Sequence, residues 1–138
     1  MKLLAITLAL VAATIATGVR YDTVYDQATQ SLATVACSDG SNGLLTKGFT
    51  TFGSLPTFPN IGAAQAVEGY NSAKCGSCWK ITYGGETITV TAIDQASNGG
   101  FNIAEEAMNT LTNGQAEHDG MVNATAVEVD MSECGIPA

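Results

Sequence analysis

The sequence predicts a small, mainly β protein that closes into a barrel and is held together by two disulfides. Short segments in its second half alternate between apolar residues and threonine, a pattern typical of strands with one buried face. A long irregular segment around residues 49–59 separates them from the first strands. Four cysteines are spread along the chain. Short strands joined by irregular loops favour a closed barrel over a parallel sheet.

Residues 1–18 have the pattern of a secretory signal peptide. Lys2 supplies a positive charge, residues 3–15 are almost wholly apolar, and small residues follow at positions 16–18. We expect cleavage after Gly18, with cleavage after Ala16 as the alternative. A retained membrane anchor is a third interpretation, although the apolar run is shorter than the roughly 20 residues that a spanning helix needs. The expected domain is residues 19–138 of a secreted protein.

The remaining chain is strongly acidic. Removing 18 of the 138 residues leaves 120, with four basic residues against 13 acidic ones and a net charge of −9. This charge repels nucleic acid and anionic lipid. We therefore expect no nucleic-acid or membrane partner, and a ligand that is neutral or cationic.

The four cysteines predict two disulfides, because secreted chains of this size use them in place of a larger core. Bonding Cys75 to Cys78 would close a very small loop and leave Cys37 with Cys134. Pairing each with a distant cysteine closes longer loops, which favours Cys37–Cys75 and Cys78–Cys134. A redox pair or half of a zinc site fits less well, since no βαβ unit surrounds the C-x-x-C sequence and the chain has one histidine. No metal or cofactor is expected.

Two strands, a loop, an irregular segment and a short helix are expected before the centre of the chain. Residues 19–25 and 31–37 are predicted strands, the first rich in Val, Tyr and Thr. Turn-forming residues predict a loop at 37–43. Two prolines oppose a helix in the irregular segment. The alanine-rich residues 61–70 are expected to hold a short helix.

The second half is more regular. Residues 79–83 and 88–92 alternate on either side of a Gly-Gly pair, which predicts a hairpin. Asn102 followed by Glu105 is typical of a capping box, so residues 104–111 are a predicted helix with Asn102 as its N-cap. Residues 125–131 alternate again and predict the last strand.

Asp94 is the main candidate binding residue, because it ends a strand of the hairpin and is rigidly placed there. Its carboxylate could accept hydrogen bonds from sugar hydroxyls or an acetamido N–H. It could equally accept backbone N–H groups in the following turn, and the two roles are compatible. Tyr21, Tyr25 and Tyr70 are candidate stacking side chains, whereas Trp79 is expected in the core.

Two further residues are singled out by their sequence context. Asn123 begins an Asn-Ala-Thr sequon and is a candidate N-glycosylation site. His118 stands in a polar stretch without any nucleophile motif, so it is expected to be a solvated loop residue.

Several motifs together resemble the cerato-platanin family of small secreted fungal proteins. The match runs through nearly all of the chain after the leader and includes every cysteine. Tyr70 is a departure, since the family often has Trp there. The motifs are Y-D-x-x-Y (21–25), V-A-C-S-D-G (35–40), F-P-N-I-G (58–62), C-G-S-C-W-K (75–80), A-I-D (92–94), G-G-F-N (99–102) and V-E-V-D-M-S-E-C (127–134).

The resemblance implies a six-stranded double-ψ β-barrel with a shallow groove, and the pairing Cys37–Cys75 and Cys78–Cys134. It implies binding of chitin or N-acetylglucosamine oligomers, loosening of cellulosic material, recognition by a plant receptor as an elicitor, and self-assembly at interfaces. The implied carbohydrate site is centred on Asp94. Its expected neighbours are Tyr21, Ser38, Asn42, Gly100, Phe101 and Asn102.

The barrel also resembles the first domain of expansins and related lytic enzymes, which carry a second carboxylate in an F-D-L-S-type motif. In this chain Asn102 stands where that carboxylate would be. Hydrolysis of a glycosidic bond normally needs two carboxylates, and an amide replaces neither. We therefore expect a non-catalytic carbohydrate-binding protein, extracellular or in a fungal cell wall. The alternatives are a weak lytic or expansin-like enzyme that uses Asp94 alone, and a surface-active or allergen-type interaction protein.

Overall fold

The computed structural model describes residues 13–138, which form a closed barrel of six strands. The strands are β1 Thr14–Tyr21, β2 Ile61–Ala64, β3 Cys78–Tyr83, β4 Glu86–Gln95, β5 Phe101–Ile103 and β6 Met121–Val129. Their order around the barrel is β1-β5-β2-β4-β3-β6, which confirms the predicted fold class. Two helices follow β5, α1 at Glu105–Thr112 and α2 at Ala116–Asp119.

The predicted hairpin is confirmed and forms the most regular wall of the barrel. Strands β3 and β4 pair antiparallel from Cys78 opposite Thr91 to Tyr83 opposite Glu86. Gly84 and Gly85 connect them with φ of 56° and 84°. A two-residue turn with positive φ at both positions matches the twist of the strands it joins, and glycine adopts it without steric cost.

Both expected disulfides are present and tie distant parts of the chain to this hairpin. Cys37 bonds to Cys75 and Cys78 to Cys134, across sequence separations of 38 and 56 residues. All four cysteines are buried. Trp79 is 8% exposed and belongs to the core, as predicted. None of the helices formed by residues 13–138 has the length and apolar character of a membrane-spanning segment.

The first strand differs from its prediction at both ends. It begins at Thr14 and ends at Tyr21, so it includes the last part of the predicted leader, while residues 1–12 lie outside the described part of the chain. The Asp22 side chain accepts a hydrogen bond from the backbone N–H of Val24, and the chain turns into a 3-10 helix at Thr23–Asp26. The predicted strand at 31–37 is wrong for a similar reason. There the Ser31 side chain caps a 3-10 turn at Leu32–Thr34.

The predicted helix at 61–70 is wrong, because this segment begins with strand β2. All four of its residues are buried, and it pairs parallel with β4 and antiparallel with β5. A Cβ at Gly62 would lie 2.3 Å from the backbone oxygen of Asn102. Small residues therefore serve here to bring two strand backbones together, not to form a helix.

The helix predicted at 104–111 is confirmed to within a residue, but its N-cap is wrong. Asn102 is the middle residue of β5, and the N-cap position is Ala104, which makes no side-chain cap. The carboxylate of Asp26, which lies 79 residues before Glu105 in the sequence, caps the helix instead. It accepts hydrogen bonds from the backbone N–H groups of Glu105 and Glu106, at 2.8 and 3.0 Å.

The last strand differs from its prediction at both ends, since β6 begins four residues earlier, at Met121, and ends at Val129 before a 3-10 helix at Met131–Cys134. Asn123 of the sequon lies within β6 and is exposed. The loop at 37–43 and the irregular segment at 49–59 are confirmed, apart from a short 3-10 turn at Phe52–Ser54.

Candidate functional site

Four residues form one row across four neighbouring strands. Arg20 on β1 pairs with Asn102 on β5, Asn102 pairs with Ala63 on β2, and Ala63 pairs with Asp94 on β4. Asn102 lies between two buried neighbours in β5, so its side chain projects from the outer face of the barrel. At a strand spacing of about 4.8 Å, the backbones of Asn102 and Asp94 are roughly 10 Å apart. The two residues share a face but are not direct neighbours.

Asp94 is held by three hydrogen bonds. Its Oδ1 accepts from the backbone N–H groups of Ala36 and Gln95, at 3.0 and 2.9 Å. Its Oδ2 accepts from the hydroxyl of Tyr25 at 2.9 Å. Two carboxylate oxygens offer about four acceptor positions, so one remains for a ligand. The structural role predicted for Asp94, that of accepting a backbone N–H group of the residues that follow it, is therefore present at Gln95. The hydrogen bond from Ala36 also connects β4 to the segment that precedes the Ser38 loop.

Tyr25 is buried, contrary to its expected role as an exposed stacking residue. It is 5% exposed, its ring packs against Phe52 at a centroid distance of 6.0 Å, and its hydroxyl donates to Asp94. Burial raises the pKa of the Tyr25 phenol far above its ordinary range, and the neighbouring Asp94 charge raises it further. Tyr25 is therefore a neutral donor that orients the Asp94 carboxylate.

A polar recess of about 160 Å³ opens beside Asn102. Its five polar side chains make no hydrogen bond to any other residue within 13–138. It is lined by Arg20, Gln95, Ala96, Ser97, Asn98, Gly99 and Asn102. Free polar groups that converge on one concavity are what a polar ligand requires. The sequence analysis did not select Arg20 or the side chains of residues 95–98. The signal that could have identified Arg20 is that it is the one arginine of the chain and lies two residues before Asp22, which caps a 3-10 helix.

The loop that carries Ser38 and Asn42 is fixed to a second turn. Asn42 donates its backbone N–H to Oδ1 of Asn71 and its side-chain amide to the Asn71 carbonyl, at 2.9 and 3.0 Å. The neighbouring Tyr70 is 65% exposed. Of the three candidate stacking tyrosines, Tyr70 is thus the one with an open ring, while Tyr21 is half-buried at the end of β1. Ser38 is half-buried at the start of this loop.

Phe101 and Gly100 adjoin the recess in sequence and serve packing. Phe101 is 3% exposed and meets Trp79 edge-to-face at 5.5 Å, so it presents no open ring. A Cβ at Gly100 would lie 2.2 Å from the backbone oxygen of Gly18, so only glycine fits between β1 and the turn that enters β5. His118 is exposed as predicted, but it lies in helix α2 and not in a loop. Within residues 13–138 no three His, Cys, Asp or Glu side chains group as a metal site.

Sequence comparisons place this barrel among fungal proteins. The family described as Cerato-platanin matches residues 17–136. The "Allergen Asp f 15 homolog" of Arthroderma benhamiae is 55% identical over 120 residues, which cover 86% of this chain and 58% of that protein. The chain thus spans less than two thirds of that relative. "Cerato-platanin" of Ceratocystis fimbriata f. sp. platani is 37% identical over 128 residues, covering 92% of each chain.

Solved structures agree with the sequence matches. Cerato-platanin 3 from M. perniciosa superposes with a TM-score of 0.84 at 49% identity, covering 88% of this chain and 100% of that one. A mutant expansin of Clavibacter michiganensis, solved in complex with cellohexaose, superposes with a TM-score of 0.61 at 20% identity, over 86% of this chain and 51% of its own length. That likeness concerns the fold alone. The family match and these identities together show that the chain belongs to the cerato-platanin family.

Proposed function

We propose that this protein is a secreted, non-catalytic carbohydrate-binding protein that holds N-acetylglucosamine oligomers, such as chitin fragments, across the row from Arg20 to Asp94. The observation that carries the proposal is the recess beside Asn102, whose five polar side chains have no hydrogen-bond partner within residues 13–138. Amide and hydroxyl side chains of this kind recognise sugar hydroxyls and acetamido groups. The exposed ring of Tyr70 adds an apolar surface on which a pyranose could lie.

The absence of catalysis is proposed from the state of the carboxylates. Hydrolysis needs one carboxyl group that donates a proton and a second that acts as base or nucleophile. Asp94 already accepts three hydrogen bonds that belong to the fold, from the Tyr25 hydroxyl and from two backbone N–H groups. Asp26 is engaged by two backbone N–H groups of α1. Asn102, which lies on the same face, cannot replace the missing second carboxylate.

Titration of chitin oligomers while recording backbone amide shifts would test the binding proposal. We expect shifts in residues 95–102 at millimolar oligomer, and a several-fold weaker affinity in Asn102→Ala, because this variant removes an amide that has no structural partner. Gln115→Ala is the matched control, since Gln115 is an exposed amide at the start of α2 whose side chain is equally free. Unchanged spectra, or equal losses in both variants, would contradict the proposal. Cellulose oligomers are the comparison ligand.

A reducing-end assay on chitin and cellulose oligomers separates binding from cleavage. The proposal predicts no product above a buffer blank after long incubation. Product that disappears in Asp94→Asn would show instead that a single carboxylate suffices for lytic activity.

The biological role is proposed from the relatives. One solved homologue is described as "the fungal elicitor Cerato-Platanin", and other relatives are named allergens and heat-stable antigens. We propose that this protein is likewise recognised by host cells outside the fungus. If Asn102→Ala loses oligomer binding but keeps full eliciting activity, recognition does not depend on the sugar.

A further inference from the structure

Arg20 is the basic side chain of the described residues that has no partner within the fold. Lys74 bonds Glu128 at 2.9 Å, Lys80 pairs with Glu133 at 3.3 Å, and Lys47 donates to the carbonyl of Pro137 at 2.7 Å. Arg20 makes no ion pair and no side-chain hydrogen bond within residues 13–138, although the chain carries 13 acidic residues. Its guanidinium is therefore available to a ligand.

The position of Arg20 is set by the barrel. Its neighbour Val19 is fully buried, so the alternation of β1 turns the Arg20 side chain outward. It stands opposite Asn102 in the parallel pairing of β1 with β5 and lines the same recess. No acidic residue lines this recess. The guanidinium thus faces neutral hydrogen-bonding groups, which cannot neutralise it.

We propose that this recess recognises a carboxylate-bearing sugar, a uronic acid unit within an oligosaccharide, with Arg20 as the residue that selects for the charge. A guanidinium presents parallel N–H donors that match the two oxygens of a carboxylate. The side-chain amides of Asn102 and Gln95 donate to or accept from the ring hydroxyls. This proposal rests on the proposed carbohydrate site and adds that its recess prefers a uronic acid unit to the neutral N-acetylglucosamine unit.

An anionic ligand differs from the neutral or cationic one expected from the net charge, but that charge does not remove the preference at the recess. Charges separated by more than about 8 Å are largely screened at physiological ionic strength. A carboxylate within the recess therefore responds mainly to the side chains that line it, and Arg20 is the charged one among them. The bulk charge slows the approach of an anion and leaves the contact itself favourable.

Two probes that differ only in charge test the proposal, an oligogalacturonate and the same oligomer with every carboxyl methyl-esterified. Dissociation constants would be measured by amide-shift titration of the protein, with a chitin oligomer of equal length as the neutral reference. We expect the acid to bind about fivefold more tightly than its ester, as for a bidentate pair at a partly exposed site. The preference should vanish in Arg20→Gln, which keeps a polar side chain, and persist in part in Arg20→Lys. Lys74→Gln, which removes one positive charge outside the recess, should leave the preference intact.

The outcomes distinguish this proposal from the proposed function. If chitin oligomer binds but acid and ester bind equally, the charge preference is overturned and the carbohydrate site stands. If no saccharide binds the wild-type protein, both fail. If the preference survives in Arg20→Gln, or is lost equally in Lys74→Gln, Arg20 is not its source. Arg20 is exposed and has no partner within residues 13–138, so the variants should fold, and an unchanged amide spectrum outside the recess verifies this.

Discussion

Asp94 accepts three hydrogen bonds within the fold, so a substitution at this position changes stability as well as any ligand binding. Asp94→Ala would leave the Tyr25 hydroxyl and two backbone N–H groups without their acceptor. We expect a loss of about 2–4 kcal/mol in the free energy of unfolding, measured in urea, since unsatisfied buried donors are costly.

Asp94→Asn is the matched control for that loss. Its Oδ1 can still accept both N–H groups, and its amide can donate to the Tyr25 oxygen. The loss should be less than half of that in Asp94→Ala, and an equal loss would contradict the hydrogen-bond account. For the same reason, Asn102→Ala reports on binding more cleanly than Asp94→Ala.

The buried Tyr25 phenol predicts how stability depends on alkaline pH. Burial raises its pKa in the folded state, while in the unfolded chain it titrates near the ordinary tyrosine value of about 10. Above that pH the unfolded chain releases a proton that the folded protein retains, so stability falls as the pH rises. Urea unfolding between pH 8 and 11 should show the decline, with a contribution of up to about 1.4 kcal/mol per pH unit. Tyr25→Phe should flatten the slope, and an unchanged slope would assign the decline to other groups.

At the scale of elements, α1 depends on a cap that comes from another part of the chain. Asp26→Ala would free the N–H groups of Glu105 and Glu106 and remove a negative charge from the helix N-terminus. We expect a loss of about 1 kcal/mol in the free energy of unfolding. Asp26→Asn, which keeps an acceptor oxygen, should lose less. Equal stability of Asp26→Ala and wild type in urea would contradict this assignment.

The sequence predicted those elements whose signals are local. The β3–β4 hairpin followed from strict alternation around Gly84-Gly85, and α1 from the capping-box pattern that joins Asn102 to Glu105. Asn102 misled the capping prediction because its sequence context fits a cap, while its actual conformation is decided by pairing with β1 and β2. The segment at 61–64 was wrongly predicted as helix for the same reason, because its strand conformation depends on pairing with β4 and β5. Asp94 was selected from its place at the end of a strand and from the motif match, whereas the proposed role of Arg20 depends on a register between strands that are about 80 residues apart.

For the whole molecule, the two disulfides join the hairpin to both flanking parts of the chain. Reduction should cost about 2–5 kcal/mol per bond, because long loops are released in the unfolded state. Thermal unfolding with and without a thiol reductant measures this, with free-thiol titration as the control for complete reduction. An unchanged midpoint after verified reduction would show that the barrel does not need these bonds.

The proposed leader cleavage would have a measurable effect on the barrel that depends on its position. Strand β1 pairs with β6 through seven residues, of which Thr17 to Arg20 are four. A cut after Ala16 would keep those four pairs, whereas a cut after Gly18 would keep the two at Val19 and Arg20. We expect a chain that starts at Thr17 to unfold at higher urea than one that starts at Val19. Mass spectrometry of protein recovered from the culture medium would identify the natural start.

The pairing of β1 with β6 also determines what the processed protein exposes. After either cut, the facing edge of β6 would lose its neighbour at Thr125 to Val127. Its backbone N–H and C=O groups there would then face solvent, and an unpaired strand edge accepts extended peptides. A cut after Gly18 would also unpair Asn123 and Ala124, so the position of the cut would determine the length of this open edge.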